Sequence, residues 1–346
     1  MTDLDVTPAR RSARDVLSWS RAGVDPALRM AVDRLPDSMR AIAGYHFGWW
    51  DEHGHPIGAD PGKAIRPAFV LLAAQAVGGA AANALPAAVA VELVHNFSLL
   101  HDDVMDGDST RRHRPTAWSV YGVNAAILAG DALLTLALDV LAGSGHPAAA
   151  RAIRVLSDAT QRLNDGQAAD LAFEDRTDVR VGECVRMAEN KTAALIGAAC
   201  AVGALFGDGR VDQVEQLRSF GELVGLAFQF TDDLLGIWGD PEVTGKPVYS
   251  DLHNRKKSLP VVAALASGTP AASELDALYH SDAPLTAAEL EQAAELIEAS
   301  GARAWSLEQA GDLVTRARVH LRAAEPDERA EQELDALARL ATRRDH

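Results

Sequence analysis

From about Pro26 to the end, the chain repeats one pattern: apolar positions spaced three and four apart, filled largely by Ala and Leu, with no alternating runs of β-branched residues. This pattern predicts helices almost throughout and an all-α fold. The stretch LPAAVAVELVHNFSLLHDDVM, Leu85 to Met105, opens with Pro86, which a first helical turn tolerates, and then carries apolar residues on nearly every face. A helix without a polar face belongs inside the protein. SFGELVGLAFQFTDDLLGIW, Ser219 to Trp238, has the same character, and both stretches carry paired acids toward their ends. Beyond Pro284, LTAAELEQAAELIEAS begins with a capping box, Thr286 with Glu289, and two further amphipathic stretches run to near Arg344, predicting an outer helical layer. Gly/Pro/Asp loops such as HGHPIGADPGK, GDPEVTGKP and SGTPAAS punctuate the helices, and none is long or polar enough to force a domain boundary. The organisation read from this is a polar N-terminal segment over residues 1–25 and a single helical domain over 26–346.

Composition narrows the partners. A content of 48% hydrophobic and 24% charged residues in 346 fits a soluble globular protein with a large core. The net charge of -16 argues against a nucleic-acid partner held by general electrostatics. Cys184 and Cys200 have no CxxC spacing, so no zinc site or disulfide framework is expected, and a reducing compartment fits. The start MTDLDVTPARRSARDVLSW has a basic pair without the apolar run of a secretory signal. No stretch is expected to reach the roughly 20 apolar residues of a membrane span. The protein therefore reads as cytoplasmic.

The chemistry concentrates in LLHDDVMDGDSTRRHRPT, Leu99 to Thr116, where acids are followed at once by arginines. In a helix Asp102, Asp103 and Asp106 lie three and four apart, so their carboxylates gather near one face and repel. Hard carboxylate oxygens in that pattern suit Mg²⁺, which keeps some waters and completes its shell with phosphate oxygens. Arg111 and Arg112 can offer bidentate hydrogen bonds to phosphate or diphosphate. Asp232 and Asp233 repeat the acidic device on the second apolar helix. An isolated Asp-Asp pair is usually a solvated helix face, but acids at the ends of helices this apolar would be costly if they served nothing.

These residues resemble the trans-isoprenyl diphosphate synthases. Seven blocks appear in family order: GKAIRP (62–67), ELVHNFSLLHDD (92–103) running into DDVMDGDSTRRHRPT, GDALL (130–134), GQAADL (166–171), KTAAL (191–195) and FQFTDDLLGIWGDPEVTGKPVYSDL. The resemblance spans roughly residues 60–265 and implies a bundle of long antiparallel helices around a deep central cavity, paired as a homodimer. It further implies that Asp102, Asp103 and Asp106 bind Mg²⁺ on an allylic diphosphate, with Asp232 and Asp233 on the other side of a cluster of three ions. Arg111, Lys191 and Lys246 would contact the same diphosphate, and Lys63, Arg66, His95 and Arg112 would hold isopentenyl diphosphate. Ionisation of the allylic diphosphate, attack by the isopentenyl double bond and loss of a proton would follow. Thr192 and Gln229 match positions whose oxygens face the developing cation; a helix-packing hydrogen bond is the alternative for both.

Departures from the family pattern are Gly236 where a third acid is frequent, with Asp240 downstream, Ala64 where a basic residue is common, and His113 where Gly is common. Tyr249 and His253 are expected in surface or packing roles. Product length in the family follows the positions four and five before the first motif, here Ser98 and Phe97; one aromatic at the fifth position resembles enzymes that stop at geranylgeranyl diphosphate, C20. Phe97 could instead be plain core, and farnesyl or longer-chain synthesis remains the alternative. A non-catalytic partner subunit would carry more eroded motifs. A class I terpene cyclase would need a serine that NDGQAADLAFE lacks, and would have no use for a second anion site.

Overall fold

The computed structural model describes residues 11–59, 62–241, 248–279 and 283–342. Apart from one short hairpin and an isolated bridge between Trp50 and Pro56, its regular structure is helical, as the patterning predicts. Contacts divide the chain into two compact units, one of residues 1–160, 195–221 and 320–337, the other of 161–194, 222–319 and 338–346.

The first unit starts earlier than the sequence pattern suggested. Helix α1, Ala13–Val32, begins ahead of Pro26 because Ser12 and Asp15 close a capping box, with the Asp15 N–H donating to Ser12 Oγ at 3.2 Å and the Ser12 N–H donating to Asp15 Oδ2 at 3.1 Å. Val16, Ser20, Val24, Leu28 and Val32 form its buried stripe. Pro26 lies on the exposed side, where the carbonyl it leaves unpaired can meet water. Helices α2, Asp37–His46, and α3, Ile65–Ala76, follow, and then α4, Leu85–Met105, in which every residue from Ala87 to Val94 is buried. A hairpin of β1, Thr110–Arg111, and β2, Arg114–Pro115, leads to the short α5, Ala117–Tyr121, and to α6, Val123–Ala142, which packs along α4.

Close backbone approach sets the packing here. A Cβ on Gly203, in the Ala194–Phe206 helix, would lie 2.2 Å from the Val70 carbonyl oxygen on α3, so only glycine lets the two backbones meet. Phe69 and Phe220 pack edge to face at 6.2 Å, both fully buried, each contributing roughly 1.5–3 kcal/mol of transfer free energy.

One expectation is corrected. Two helices, Ala81–Met105 and Val123–Ala142, are long and apolar enough by length and composition to cross a membrane, because each carries few charged residues among many apolar ones. The most apolar window of the first is 72% buried inside the protein, as a core helix requires; that of the second is only 39% buried.

The second unit holds two apolar clusters. Phe173, Cys184, Met187, Phe230, Leu259 and Leu313 belong to one; Ile237, Leu252, Leu275, Tyr279 and Ile297 belong to the other, with Tyr249 packed against it. The capping box at Thr286 and Glu289 opens Ala287–Ala299 as expected, but Ala293, Ala294 and Ile297 are buried, so this helix builds core rather than only covering it. His253 is exposed, as its surface role required. Cys184 and Cys200 are free and buried, one in each unit, and burial pushes both thiols well up from their ordinary pKa. Gly203→Ala should destabilise the protein by about 1–3 kcal/mol through overpacking, read as a lower thermal midpoint; an unchanged midpoint would show that α3 can yield.

Candidate active-site residues

Asp103 sits near the C-terminal end of α4 and is 1% exposed. Arg111, one strand position into the hairpin, donates from Nε to Asp103 Oδ1 at 2.6 Å, while Oδ2 is buried without a hydrogen-bond partner. Burial dominates over the Arg111 charge and pushes the carboxyl up to about 6. Asp106 caps α4, its N–H donating to the Asp102 carbonyl at 2.8 Å. Among the described residues no three acidic, His or Cys side chains are grouped to hold a metal ion, and the Asp103 carboxylate is held by Arg111. The orphaned oxygen and the raised carboxyl nevertheless fit a hard cation, whose charge would relieve both.

The hairpin turn is Arg112-His113, with φ of 50° and 60°. Two left-handed residues are what a two-residue turn of this twist demands, which is why Gly is common where His113 stands. The turn is held by its anchors. Arg114 donates from Nη1 to the Tyr45 carbonyl at 3.0 Å and lies 4.5 Å over the Tyr45 ring, and Tyr45 Oη donates to the Pro115 carbonyl at 2.9 Å.

Beside it lie residues expected from the sequence to hold a second anion. A Cβ on Gly62, at φ 90°, would lie 2.4 Å from Arg112 Nη2, so this glycine brings the GKAIRP loop, with exposed Lys63, against the Arg112 guanidinium. Arg66 donates from Nη1 to His95 Nε2 at 3.2 Å. Burial and the charges of Arg66, Arg112 and Arg111 hold His95 well below the usual imidazole range, leaving it neutral with Nε2 as acceptor. Ala64, at φ 47°, starts α3 without a side-chain cap.

Phe97 and Ser98 are both buried. Ser98 Oγ donates to its own helix at the His95 carbonyl, 2.8 Å, and the Phe97 ring meets His101 edge to face at 4.8 Å. His101 in turn donates from Nε2 to the Ile127 carbonyl at 3.0 Å, over Gly130, where a Cβ would lie 2.3 Å from that nitrogen.

In the second unit Lys191 and Thr192 occupy a five-residue π-helical turn, Glu189–Ala193. Such a turn re-aims side chains at the cost of one regular hydrogen bond, and it recurs at functional sites. Two glycines make room: a Cβ on Gly166 would lie 2.3 Å from the Lys191 N, and one on Gly225 would lie 2.6 Å from the Ala193 Cα. Lys191 Nζ donates to Asp170 Oδ2 at 2.5 Å. Thr192 Oγ1 donates to Gln229 Oε1 at 2.6 Å, Gln229 Nε2 donates to Asp233 Oδ1 at 2.6 Å, and the Leu259 N–H donates to Asp233 Oδ2 at 2.8 Å. Despite these donors, burial and then the Asp251 charge push Asp233 up to about 8. Asp232 and Asp240 are exposed. Gly236 lacks an acid for a steric reason: a Cβ there would lie 2.1 Å from Asp251 Oδ2, in space that this carboxylate already occupies. Lys246 lies outside the described residues.

Several residues lining the cleft at the hairpin were not singled out from sequence. Tyr45 and His46 line a small cleft together with Asp103, Arg111, Arg112 and Arg114. Their signal was compositional: the run YHFGWW is dense in aromatics in a chain with only 5%.

Two outcomes follow from this geometry. Asp233 holds its proton more tightly folded, at about 8, than its ordinary value of 3.8, so between those values the folded state binds more protons and stability falls as pH rises. The wild type should therefore lose thermal stability relative to Asp233→Asn steadily from about pH 4 to pH 8 and match its slope above; parallel curves would refute the burial effect. Gly166→Ala must displace Lys191 and should cost about 100-fold in turnover with helical content retained; full activity would show that the lysine needs no such placement.

The sequence matches the family described as Polyprenyl synthetase over residues 49–297. It is 51% identical over 309 residues to the (2E,6E)-farnesyl diphosphate synthase of Mycobacterium tuberculosis, covering 88% of this chain and 86% of that one. It is 46% identical over 331 residues to the geranylgeranyl diphosphate synthase of the same organism, covering 95% and 93%. Among solved structures, the polyprenyl synthetase of Streptomyces coelicolor A3(2) superposes with a TM-score of 0.91 at 47% identity, over 94% of this chain and 98% of that one. A polyprenyl synthase of Caulobacter crescentus CB15, complexed with calcium and isoprenyl diphosphate, superposes with a TM-score of 0.84 at 28% identity, over 98% and 100%. Motif order, family match and fold agree, and the chain belongs to the polyprenyl synthetase family as a trans-isoprenyl diphosphate synthase, an all-α prenyltransferase.

Proposed function

We propose that this enzyme makes geranylgeranyl diphosphate, C20, by condensing isopentenyl diphosphate with an allylic diphosphate of five, ten or fifteen carbons. The observation that carries this reading is Phe97, buried about one helical turn below Asp102 on α4, next to the small, internally bonded Ser98. A single ring at that depth leaves room for a longer chain than two would. The relatives are named for farnesyl and for geranylgeranyl diphosphate, so both lengths occur among similar chains.

Asp102, Asp103 and Asp106, and on the second apolar helix Asp232 and Asp233, would hold Mg²⁺. When bound, the ions would neutralise the diphosphate as it leaves. Arg111 and Lys191 would add hydrogen bonds to the allylic diphosphate by exchanging their present partners, Asp103 and Asp170, for phosphate oxygens. Lys246 would join them. Thr192 and Gln229 already form a fixed chain, so their oxygens are pre-oriented toward positive charge developing at the allylic carbon. Lys63, Arg66, His95 and Arg112 would hold isopentenyl diphosphate, whose double bond attacks that carbon. The proton then lost passes to departing pyrophosphate.

A homodimer in the cytoplasm completes the proposal. Its support is α6, whose Val123, Ile127 and Leu128 are 43%, 38% and 56% exposed in a helix otherwise apolar enough to need covering. The test is to incubate purified protein with Mg²⁺, isopentenyl diphosphate and each allylic starter, and weigh the dephosphorylated alcohols by mass spectrometry. One C20 product is expected, and Phe97→Ala should lengthen it. A C15 or C25 product, or a variant with unchanged length, would place the floor elsewhere; no product from any starter would favour a partner subunit.

A further inference from the structure

A chain of polar side chains runs through the first unit without a part in the chemistry above. Asn96, 2% exposed, donates from Nδ2 to the Glu92 carbonyl at 2.8 Å and to Glu92 Oε1 at 3.1 Å. Both acceptors on that side fix the amide's orientation, so its Oδ1 faces His46 Nε2, 3.2 Å away. His46 must therefore carry its proton on Nε2, whatever the protonation of Glu92. Glu92 itself is 7% exposed, and its Oε2 is buried without a hydrogen-bond partner. A buried carboxyl costs stability, and a buried amide ladder built on one asks what it holds in place.

It holds the His46 ring at the end of α2, in the wall of the cleft that Arg111, Arg112 and Arg114 also line. With Nε2 spent on Asn96, the ring's other nitrogen, Nδ1, has no hydrogen-bond partner among the described residues. The groups that act on the ring are Asn96 and His95 from α4, and Arg111, Arg112 and Arg114 from the hairpin, with Asp103 lining the same cleft. Burial and those three guanidinium charges hold His46 down to about 3, so the ring is neutral and Nδ1 carries a bare lone pair. A lone pair among guanidinium groups suits one ligand: an anion that brings its own proton or draws one in. A diphosphate does so, since its negative charge offsets the arginines and its terminal oxygens titrate near neutrality.

We propose that His46 is a further substrate-binding residue of the second anion site, where one proton bridges its Nδ1 and an oxygen of the isopentenyl diphosphate, with Asn96 and Glu92 presetting the ring. No bond in the substrate breaks in this step; a proton from solvent, or one already on the terminal phosphate, comes to lie between nitrogen and oxygen. The inference rests on the reading that Arg66, His95 and Arg112 bind this diphosphate.

Two variants separate the ring nitrogens. His46→Gln reaches the Nε2 position and can keep the Asn96 bond while offering nothing at Nδ1; His46→Asn places a neutral N–H near Nδ1. The Michaelis constant for isopentenyl diphosphate should rise about tenfold in His46→Gln, the loss of one charge-assisted hydrogen bond, with a much smaller change in kcat and none in the constant for the allylic substrate. His46→Asn should recover most of the affinity and lose its pH dependence. Titration calorimetry with isopentenyl diphosphate at pH 6.5, in buffers of different ionisation enthalpy, should show wild type taking up close to one more proton than His46→Gln. Arg112→Ala serves as the reference. If it raises the isopentenyl constant while His46→Gln leaves both constant and proton count unchanged, the His46 assignment is overturned and the anion site stands. If Arg112→Ala also has no effect, the anion-site reading falls and takes the inference with it.

Discussion

Charge held out of water without enough opposite charge beside it is the constraint on which this molecule's chemistry depends. Asp103 keeps a salt bridge and still has a carboxyl raised to about 6; Asp233 accepts two hydrogen bonds and is raised to about 8. In each case desolvation outweighs the neighbours the chain supplies. A protein selected only for stability would replace such groups with apolar ones. Here they are retained at the ends of helices whose other faces are buried, where an incoming cation would gain most from meeting them. The opposite imbalance holds at the hairpin, where burial and then the charges of Arg112 and Arg111 hold both His46 and His95 neutral. Excess of one sign in each place is the complement of a ligand made of cations and diphosphates.

Holding such groups in place requires backbones closer together than side chains normally allow. Gly62 admits the Arg112 guanidinium, Gly166 admits the Lys191 backbone, and Gly236 leaves room for the Asp251 carboxylate. The last changes the meaning of a missing acid. The second motif is short of a carboxylate along the helix, yet a carboxylate from fifteen positions downstream fills the space beside it. An erosion of sequence is thus not an equal erosion of local charge.

The α-helical class and the Leu85–Met105 helix were legible because an all-round apolar pattern closed by acids has few other meanings. The Asp103–Arg111 and Arg66–His95 contacts were not legible, because the sequence showed each of these residues only as a candidate ligand of an ion or an anion. What escaped has physical reasons. The onset of α1 was hidden because its capping box uses Asp15 rather than Glu, and because Pro26, which looks like a helix start, sits on an exposed flank inside it. Helix spacing groups Asp102, Asp103 and Asp106 but says nothing of a partner beyond the helix, so the Arg111 bond to Asp103 could not be read from it. The π turn at Lys191 leaves no periodic trace in five residues, and its glycine partners lie on other helices. His46 belongs to a run whose aromatics announce packing, so its polar role appears only through Asn96.

The two cysteines, unremarkable in catalysis, give the fold a pair of internal clocks. Each unit contains one, each is wholly covered, and burial keeps each thiol far from the thiolate that reacts. Neither can be alkylated until its surroundings open, so the rate at which a thiol reagent labels Cys200 reports excursions of the first unit and the rate at Cys184 those of the second. A natural chain with one reporter in each unit allows their opening free energies to be compared without adding a probe.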